Sequence, residues 1–405
     1  KIRDDRADLV IVGAGTIGGW ASVFARRLGA ERVIVLERGR AGDGASSRAA
    51  GMVRAQGGTP GTVKLGAWSI DFYRRQQREF PADSGFRELG YLILATNQQE
   101  EAAAHERIRM QREAGLDVRW VDAAEAARLD SCLDPSRIRG ASYAAGDGCI
   151  DPVRNVRAYS LAMQQSRVDL RERSTFTGID EQRGSSGSRL TAVLTDAGRI
   201  ETSRLLITGG PQLREVGERI GVSIPAGAVR HQVAVTEPHR EFQVDRRAMA
   251  FDLSGGLYWR LEDGGLLFGM SNPDEPPGVA RCVDWTYLEA MRERLATFLP
   301  VTQSLQLRKV WAATIDYTAD HQPILGPALR PDGSTIDGVT VASAGGHGMM
   351  WGPAVARIAA DLALEGKTAL TDVSDWGLDR FDADGHSRLA TDPIALPFPV
   401  GTSAN

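Results

Sequence analysis

The sequence predicts an α/β fold, α+β in its inserted part: a discontinuous Rossmann-like nucleotide-binding domain interrupted by an antiparallel β-sheet domain. Three observations lead there. Residues 9–18, LVIVGAGTIG, join a short apolar run to a glycine triplet, and VIVLE follows at 33–37. The middle of the chain changes to alternating strand patterns with a hairpin turn. Residues 338–364 then return to strand, glycine loop and helix.

Leu9–Val12 reads as a buried parallel strand because it is apolar throughout. Gly13, Gly15 and Gly18 fit G-x-G-x-x-G: a tight turn, an unobstructed approach for a pyrophosphate, and close helix–strand packing. A helix over 17–28, opening at Ile17, aims its positive end at the phosphates. Glu37 ends the second strand, where a carboxylate accepts from both ribose hydroxyls and repels a 2′-phosphate. Residues 42–61 are rich in Gly, Ala and Ser and too long for an ordinary connector, which marks a functional segment. Helices are expected over 64–80, 97–115 and 122–129, the last capped by Asp122, with a strand at 90–95.

A second nucleotide-domain block begins near Gly140, with a helix over 155–167, polar strands to Ile200, and an apolar strand 204–210 ending in Gly209 and Gly210. Residues 229–237 and the 257–270 hairpin, with its Glu-Asp-Gly-Gly turn, read as a β-rich insertion. Residues 284–298 form an amphipathic helix. The expected division is 1–85, 140–225 and 305–385 for the nucleotide-binding domain, and 86–139 with 226–304 for the substrate-binding domain. Residues 386–405 lack periodicity and are expected to be a surface or partly disordered tail.

Composition narrows the function classes. A chain of 405 residues accommodates about two domains. A net charge of −4 makes no case for nucleic acid or an anionic membrane. No apolar run approaches the ~18 residues of a membrane span. The charged N-terminus, Lys1 to Arg6, lacks an apolar signal core, and a cytoplasmic location is expected. Cys132, Cys149 and Cys282 are far apart and match no metal spacing. Reduced thiols and no metal are expected.

Four separated motifs carry a resemblance: VGAGTIG with Glu37, GASSRAAGMVRAQ at 44–56, DGCIDP at 147–152, and the pair TADHQPILGP (318–327) and SAGGHGMMWGPAVARIAADL (343–362). In their order the chain resembles the D-amino-acid oxidase-like family of FAD-dependent oxidoreductases. It looks most like the glycine oxidase, sarcosine oxidase β-subunit and dimethylglycine dehydrogenase branches, over roughly residues 8–366. The resemblance implies FAD and oxidation of a C–N bond. It places the 42–61 segment beneath the flavin ring, where small residues let the backbone approach a flat cofactor. The implied cofactor residues there are Ala45, Ser46, Ser47, Arg48, Ala50, Gly51 and Met52, with Arg38 beside Glu37 and Gly209–Gly210 near the adenine. Gly345, Gly346, His347, Gly348, Met349 and Met350 would face the pyrimidine edge of the flavin, with the amides and dipole of the following helix.

Such an enzyme anchors its substrate and removes a hydride, so a carboxylate substrate calls for a buried Arg. Arg54 and Arg260 are the preferred candidates over Arg230, and Tyr258 shares a strand face with Arg260. His231 and His347 are the candidates if a base exists. Relatives carry Lys where this chain has Met350 and Leu267, Cys where it has Ala313, and His where it has Arg48. The FAD is therefore expected to be noncovalent, and an apolar wall of Met349, Met350 and Trp351 admits a larger amine. The expected function is oxidation of an amine, amino acid or cyclic imino acid to an imine, with O2 or another electron acceptor. Rival readings are an FAD-binding subunit of a hetero-oligomer and a tailoring oxidase for a natural-product amine.

Overall fold

The computed structural model describes residues 5–184, 187–244 and 247–394. Its largest sheet has ten strands. The parallel core of that sheet runs Asp169–Glu172, Val33–Glu37, Leu9–Val12, Leu205–Ile207 and Thr335–Ser343. Ile11 lies opposite both Val35 and Leu206. Leu9, Val10 and Ile11 are wholly buried, as a strand covered on both faces requires.

One face is covered by helices Thr16–Arg27, Pro60–Glu79, Pro152–Gln165 and Gly352–Glu365. Trp20 is fully buried there, with Phe72 edge-on at 4.8 Å and Phe80 at 5.0 Å. The second helix begins four residues before its expected start. Pro60 occupies its first turn, and Thr59 and Thr62 form a reciprocal capping box. The glycine-rich segment therefore ends at Thr59.

The second sheet has eight strands. It is antiparallel except where Met249–Asp252 runs parallel to Tyr91–Ala95. The expected hairpin is present: Leu257–Glu262 pairs with Gly265–Met270. Its two turn residues, Asp263 (φ 47°) and Gly264 (φ 74°), both take the left-handed conformation, which matches the twist of the flanking strands. Trp259 faces away from the first sheet and donates to Asp130 Oδ2 at 2.8 Å, over the core shared with helix Trp285–Phe298. Tyr258 faces the opposite way, as strand alternation demands.

Sheet pairing crosses the boundaries expected from sequence. Gly140–Ala144 and Leu307–Thr318 lie within the expected nucleotide-binding blocks, yet both pair into the second sheet. The reason is partner choice. Gly140–Ala144 hydrogen-bonds Tyr91–Ala95, and Leu307–Thr318 zips along the whole of Ala226–Thr236. Neither partnership leaves a local sequence signal. The expected surface tail also needs correction. Asp392 and Ile394 are buried, Ile394 completely. Residues 395–405 of that tail lie outside the described residues.

Candidate functional site

A single cavity runs from the C-terminal ends of the parallel strands to the inner face of the second sheet. Such a crevice at the strand ends is where open α/β sheets bind ligands. At one end lie Gly13, Gly15, Ile17, Glu37, Arg38, Gly209 and Gly210. Gly13 takes φ +99°, and a Cβ on Gly18 would stand 1.9 Å from the Gly13 carbonyl oxygen. Gly18 therefore serves packing and lies outside the cavity wall. A Cβ on Gly15 would meet only the Ser46 hydroxyl, at 3.1 Å.

The Glu37 carboxylate is held at the cavity edge by two backbone amides, from Ala14 at 3.0 Å and Gly39 at 2.7 Å. An ionised carboxylate has about four acceptor positions, so two remain for a ligand. The Ser46 hydroxyl accepts from the Thr16 amide at 2.9 Å and the Thr16 hydroxyl at 3.1 Å. Its own proton stays available for donation.

Further along, Ala45, Ala50, Gly51 and Met52 form one wall and Gly346, His347, Gly348, Met349 and Met350 another. Side chains from distant elements pin these loops. Tyr159 donates to the Ala14 carbonyl at 3.0 Å, Tyr73 to Met349 at 2.9 Å, and Trp311 to Arg48 at 2.8 Å. Ser47, Arg48 and Gly345 do not line the cavity. The Arg48 guanidinium turns back to the carbonyls of Asp43 and Gly44, so its expected contact with a pyrophosphate or ring is withdrawn. Gly345 (φ +57°) is needed for backbone clearance, since its Cβ would lie 2.6 Å from the Gln322 carbonyl.

At the far end Arg54, Tyr91, His231, Phe251 and Tyr258 meet. The His231 Nε2 and the Tyr258 hydroxyl are 2.7 Å apart. Gly269, opposite Tyr258 in the hairpin, leaves room for that hydroxyl, which would lie 2.2 Å from a Cβ there. Burial pushes the His231 imidazole down to about 4 and the Tyr258 phenol upward. His347 is also held well below its ordinary value, by burial and then by the positive Arg54. Its Nδ1 lies 3.2 Å from the Gly345 carbonyl. A carbonyl only accepts, so Nδ1 carries the proton and the buried, unpartnered Nε2 presents a lone pair.

Arg54 is 4% exposed. Its partners are two neutral carbonyls, those of Gln56 and of Ile394, the latter at 2.7 Å. Among the described residues no carboxylate lies within 4.0 Å of it. Arg260 differs. It lies outside the cavity wall, donates to the Ala50 carbonyl at 2.8 Å and the Leu261 carbonyl at 2.9 Å, and pairs with Glu262. This corrects the expectation that Arg260 anchors a carboxylate: its charge is already neutralised. Arg230 is paired with Glu275 at 2.8 Å. Trp351 is buried behind the wall, its ring 4.2 Å from that of His347, so it does not contribute to the apolar surface.

Tyr91, Phe251 and the Ser174–Phe176 turn were missed by sequence reasoning. Tyr91 and Phe251 meet because their strands pair from distant parts of the chain, Tyr91 opposite Met249, and no local pattern marks that meeting. Asp147, of the DGCIDP motif, lies beneath the wall. It accepts from the Ala55 amide at 2.8 Å and from Gln56 Nε2 at 3.2 Å, and burial raises its carboxyl to about 6.

The neutral His231 makes stability pH-dependent. Its folded value, about 4, is below its ordinary 6.5. Its contribution is thus present above pH 6.5 and is lost as pH falls towards 4. His347 acts with the same sign, and Asp147 with the opposite one. Thermal melts at pH 7.5 and 5.0 are expected to show a drop that shrinks in His231→Gln; an identical drop in both proteins would place the titrating group elsewhere.

Among the described residues no helix is long and apolar enough to cross a membrane. Comparison with known proteins agrees with this architecture. The chain is 26% identical to FAD-dependent oxidoreductase domain-containing protein 1 of Bos taurus, over 93% of this chain and 85% of that protein. It is 25% identical to the mitochondrial dimethylglycine dehydrogenase of Rattus norvegicus, covering 90% of this chain but 43% of the longer enzyme. Among solved structures, glycine oxidase from Geobacillus kaustophilus superposes with a TM-score of 0.77 at 25% identity, covering 92% and 98% of the two chains. L-proline dehydrogenase from P. horikoshii shares the fold with a TM-score of 0.83 at 22% identity, covering 92% and 97%. Residues 8–362 match the family described as FAD dependent oxidoreductase, and the chain belongs to that family.

Proposed function

We propose that this protein oxidises the C–N bond of an amine or amino acid to an imine, and that Arg54 receives the substrate's carboxylate. One observation carries the reading. A buried guanidinium with no carboxylate within 4.0 Å among the described residues faces the same cavity as two neutral histidines, and that cavity continues to the Glu37 end. FAD fits the long arm of the cavity: Gly13 and Gly15 clear a phosphate path, and Glu37 offers two free acceptor positions. When bound, FAD supplies the hydride acceptor.

The chain's own groups do the rest. Arg54 binds and orients the acid, and a bidentate carboxylate is its strongest available partner. Met52, Phe251, Met349 and Met350 exclude water from the reacting end. Neutral His231 and Tyr258 bound the substrate side without adding charge. The amine reacts as its free base, because a protonated nitrogen has no lone pair for the forming imine.

The FAD is held noncovalently in this reading: Ala313 carries no nucleophile, and Arg48 points away. Acid precipitation is expected to release intact FAD into the supernatant. An anaerobic panel of amines, N-alkyl amino acids and cyclic imino acids, followed by flavin bleaching, then tests the activity independently of the acceptor. Peroxide release in air distinguishes O2 from another acceptor. A panel without any bleaching would contradict the proposed oxidation.

Glu37→Ala should raise the Kd for FAD. Each hydrogen bond to a charged acceptor is worth about 1.5–3 kcal/mol, and two ribose hydroxyls are involved. Titration of apoprotein with FAD measures this. An unchanged Kd would place the ribose elsewhere.

A further inference from the structure

The C-terminal segment returns to the candidate site. Ile394 is wholly buried in one apolar cluster with Met52, Tyr91, Phe251 and Tyr258, four residues that line the cavity. Its carbonyl accepts from Arg54 Nη2 at 2.7 Å. Among the described residues, both amides of the segment and the Asp392 carboxylate are bonded. The Asp392 amide donates to the Asp320 carbonyl at 3.1 Å, Asp392 Oδ1 accepts from the Ile394 amide at 2.9 Å, and Thr62 Oγ1 reaches Asp392 Oδ2 at 3.4 Å. Gly58 makes a close passage here, since a Cβ on it would lie 2.0 Å from Asp392 Oδ1.

We propose that Asp392–Ile394 is a displaceable strap whose Ile394 carbonyl occupies Arg54 until a carboxylate ligand takes its place. This rests on the reading that Arg54 is the carboxylate site. The physical basis is the mismatch at Arg54. The Arg54 hydrogen bonds go only to neutral carbonyls, with the Asp147 carboxyl as a more distant counter-charge, and a carboxylate partner is both shorter-bonded and roughly twice as strong as a neutral one. Nearby, Arg107 is buried with its Nε unpartnered, and Asp392 supplies negative charge towards it. Release of the strap removes the Asp392 carboxylate from this end and leaves Arg54 to face an incoming anion. Opening the segment breaks these bonds and exposes Ile394, a cost that the Arg54–carboxylate pair offsets.

The experiment uses the full-length FAD-loaded protein, with benzoate as probe and benzamide as its neutral counterpart. Calorimetry measures binding, and hydrogen–deuterium exchange follows peptides covering residues 386–394. Benzoate is expected to bind, benzamide far more weakly, and benzoate should increase exchange at Asp392 and Ile394. A chain ending at Thr391 should bind benzoate at least about tenfold more tightly, if the strap is open for a tenth of the time or less. Asp392→Asn, which retains the fold's shape, should shift affinity and exchange in the same directions and guards against misfolding of the shortened chain. Arg54→Met should abolish benzoate binding in every background. If benzoate binds through Arg54 with no rise in exchange and no tightening in either variant, the strap is a fixed wall and the proposal fails while the Arg54 site stands. If benzoate binding is absent or indifferent to Arg54→Met, the Arg54 reading fails, and the strap proposal with it.

Discussion

Arg54→Met is expected to lower kcat/KM for a carboxylate substrate by roughly 30- to 5,000-fold, the equivalent of about 2–5 kcal/mol for leaving a desolvated charge unpaired. The loss should fall on the acid and spare its uncharged amide, because the amide makes no ion pair. FAD content should be unaffected, since the Arg54 contacts are to Gln56 and Ile394, at the opposite end from Glu37. Arg54→Lys separates charge from shape: it keeps a point charge and loses the planar fork, so an intermediate loss is expected. Arg260→Met is the control. Its guanidinium is held by Ala50, Leu261 and Glu262, so the change should lower stability and leave the acid-to-amide ratio intact. Equal losses for acid and amide in Arg54→Met would remove the carboxylate from this end of the cavity.

Two of the three fingerprint glycines, Gly18 and Gly15, should fail in different ways when replaced by alanine. In Gly18→Ala the new methyl would lie 1.9 Å from the Gly13 carbonyl oxygen and 2.7 Å from Thr208 Oγ1. A backbone oxygen in a tight turn cannot give way, so the helix must lift off the sheet. Overpacking of this kind costs about 1–3 kcal/mol or more, and the helix concerned carries Trp20 and Phe24 into the main aromatic core. The apoprotein should melt lower and FAD should be largely lost. In Gly15→Ala the methyl meets only a rotatable serine hydroxyl at 3.1 Å. The apoprotein should therefore melt as the unaltered chain does, while FAD binding falls sharply because the methyl blocks the phosphate path. Melting curves of apo and FAD-loaded forms measure both effects. Full FAD affinity in Gly15→Ala would mean that no phosphate passes over that residue.

Much of the architecture is written in local pattern. The apolar run before Gly13, the carboxylate closing the second strand, Asp122 and Asp284 at helix N-termini, and the Asp263–Gly264 turn each act over a few residues. Backbone sterics and nearby hydrogen bonds decide them, and the chain itself supplies both. Helix starts were less legible where capping decided them, as at Thr59, whose reciprocal bonds with Thr62 outweigh the glycines beside it.

The sequence by itself determined the nucleotide-binding fingerprint, the two-part organisation and the family to which the chain belongs, because these reside in short contiguous motifs. The tertiary structure decided which arginine is available to a ligand. Sequence favours Arg54 and Arg260 over Arg230 without separating the first two, yet Glu262 and Glu275 neutralise Arg260 and Arg230 and leave Arg54 against neutral carbonyls. It also decided that Gly140–Ala144 and Leu307–Thr318 join the second sheet, and that Ile394 leaves the expected surface tail to pack behind residues that line the cavity. Each of these depends on which partners meet across long separations, where the energy lies in desolvation and pairing of groups that no local window contains.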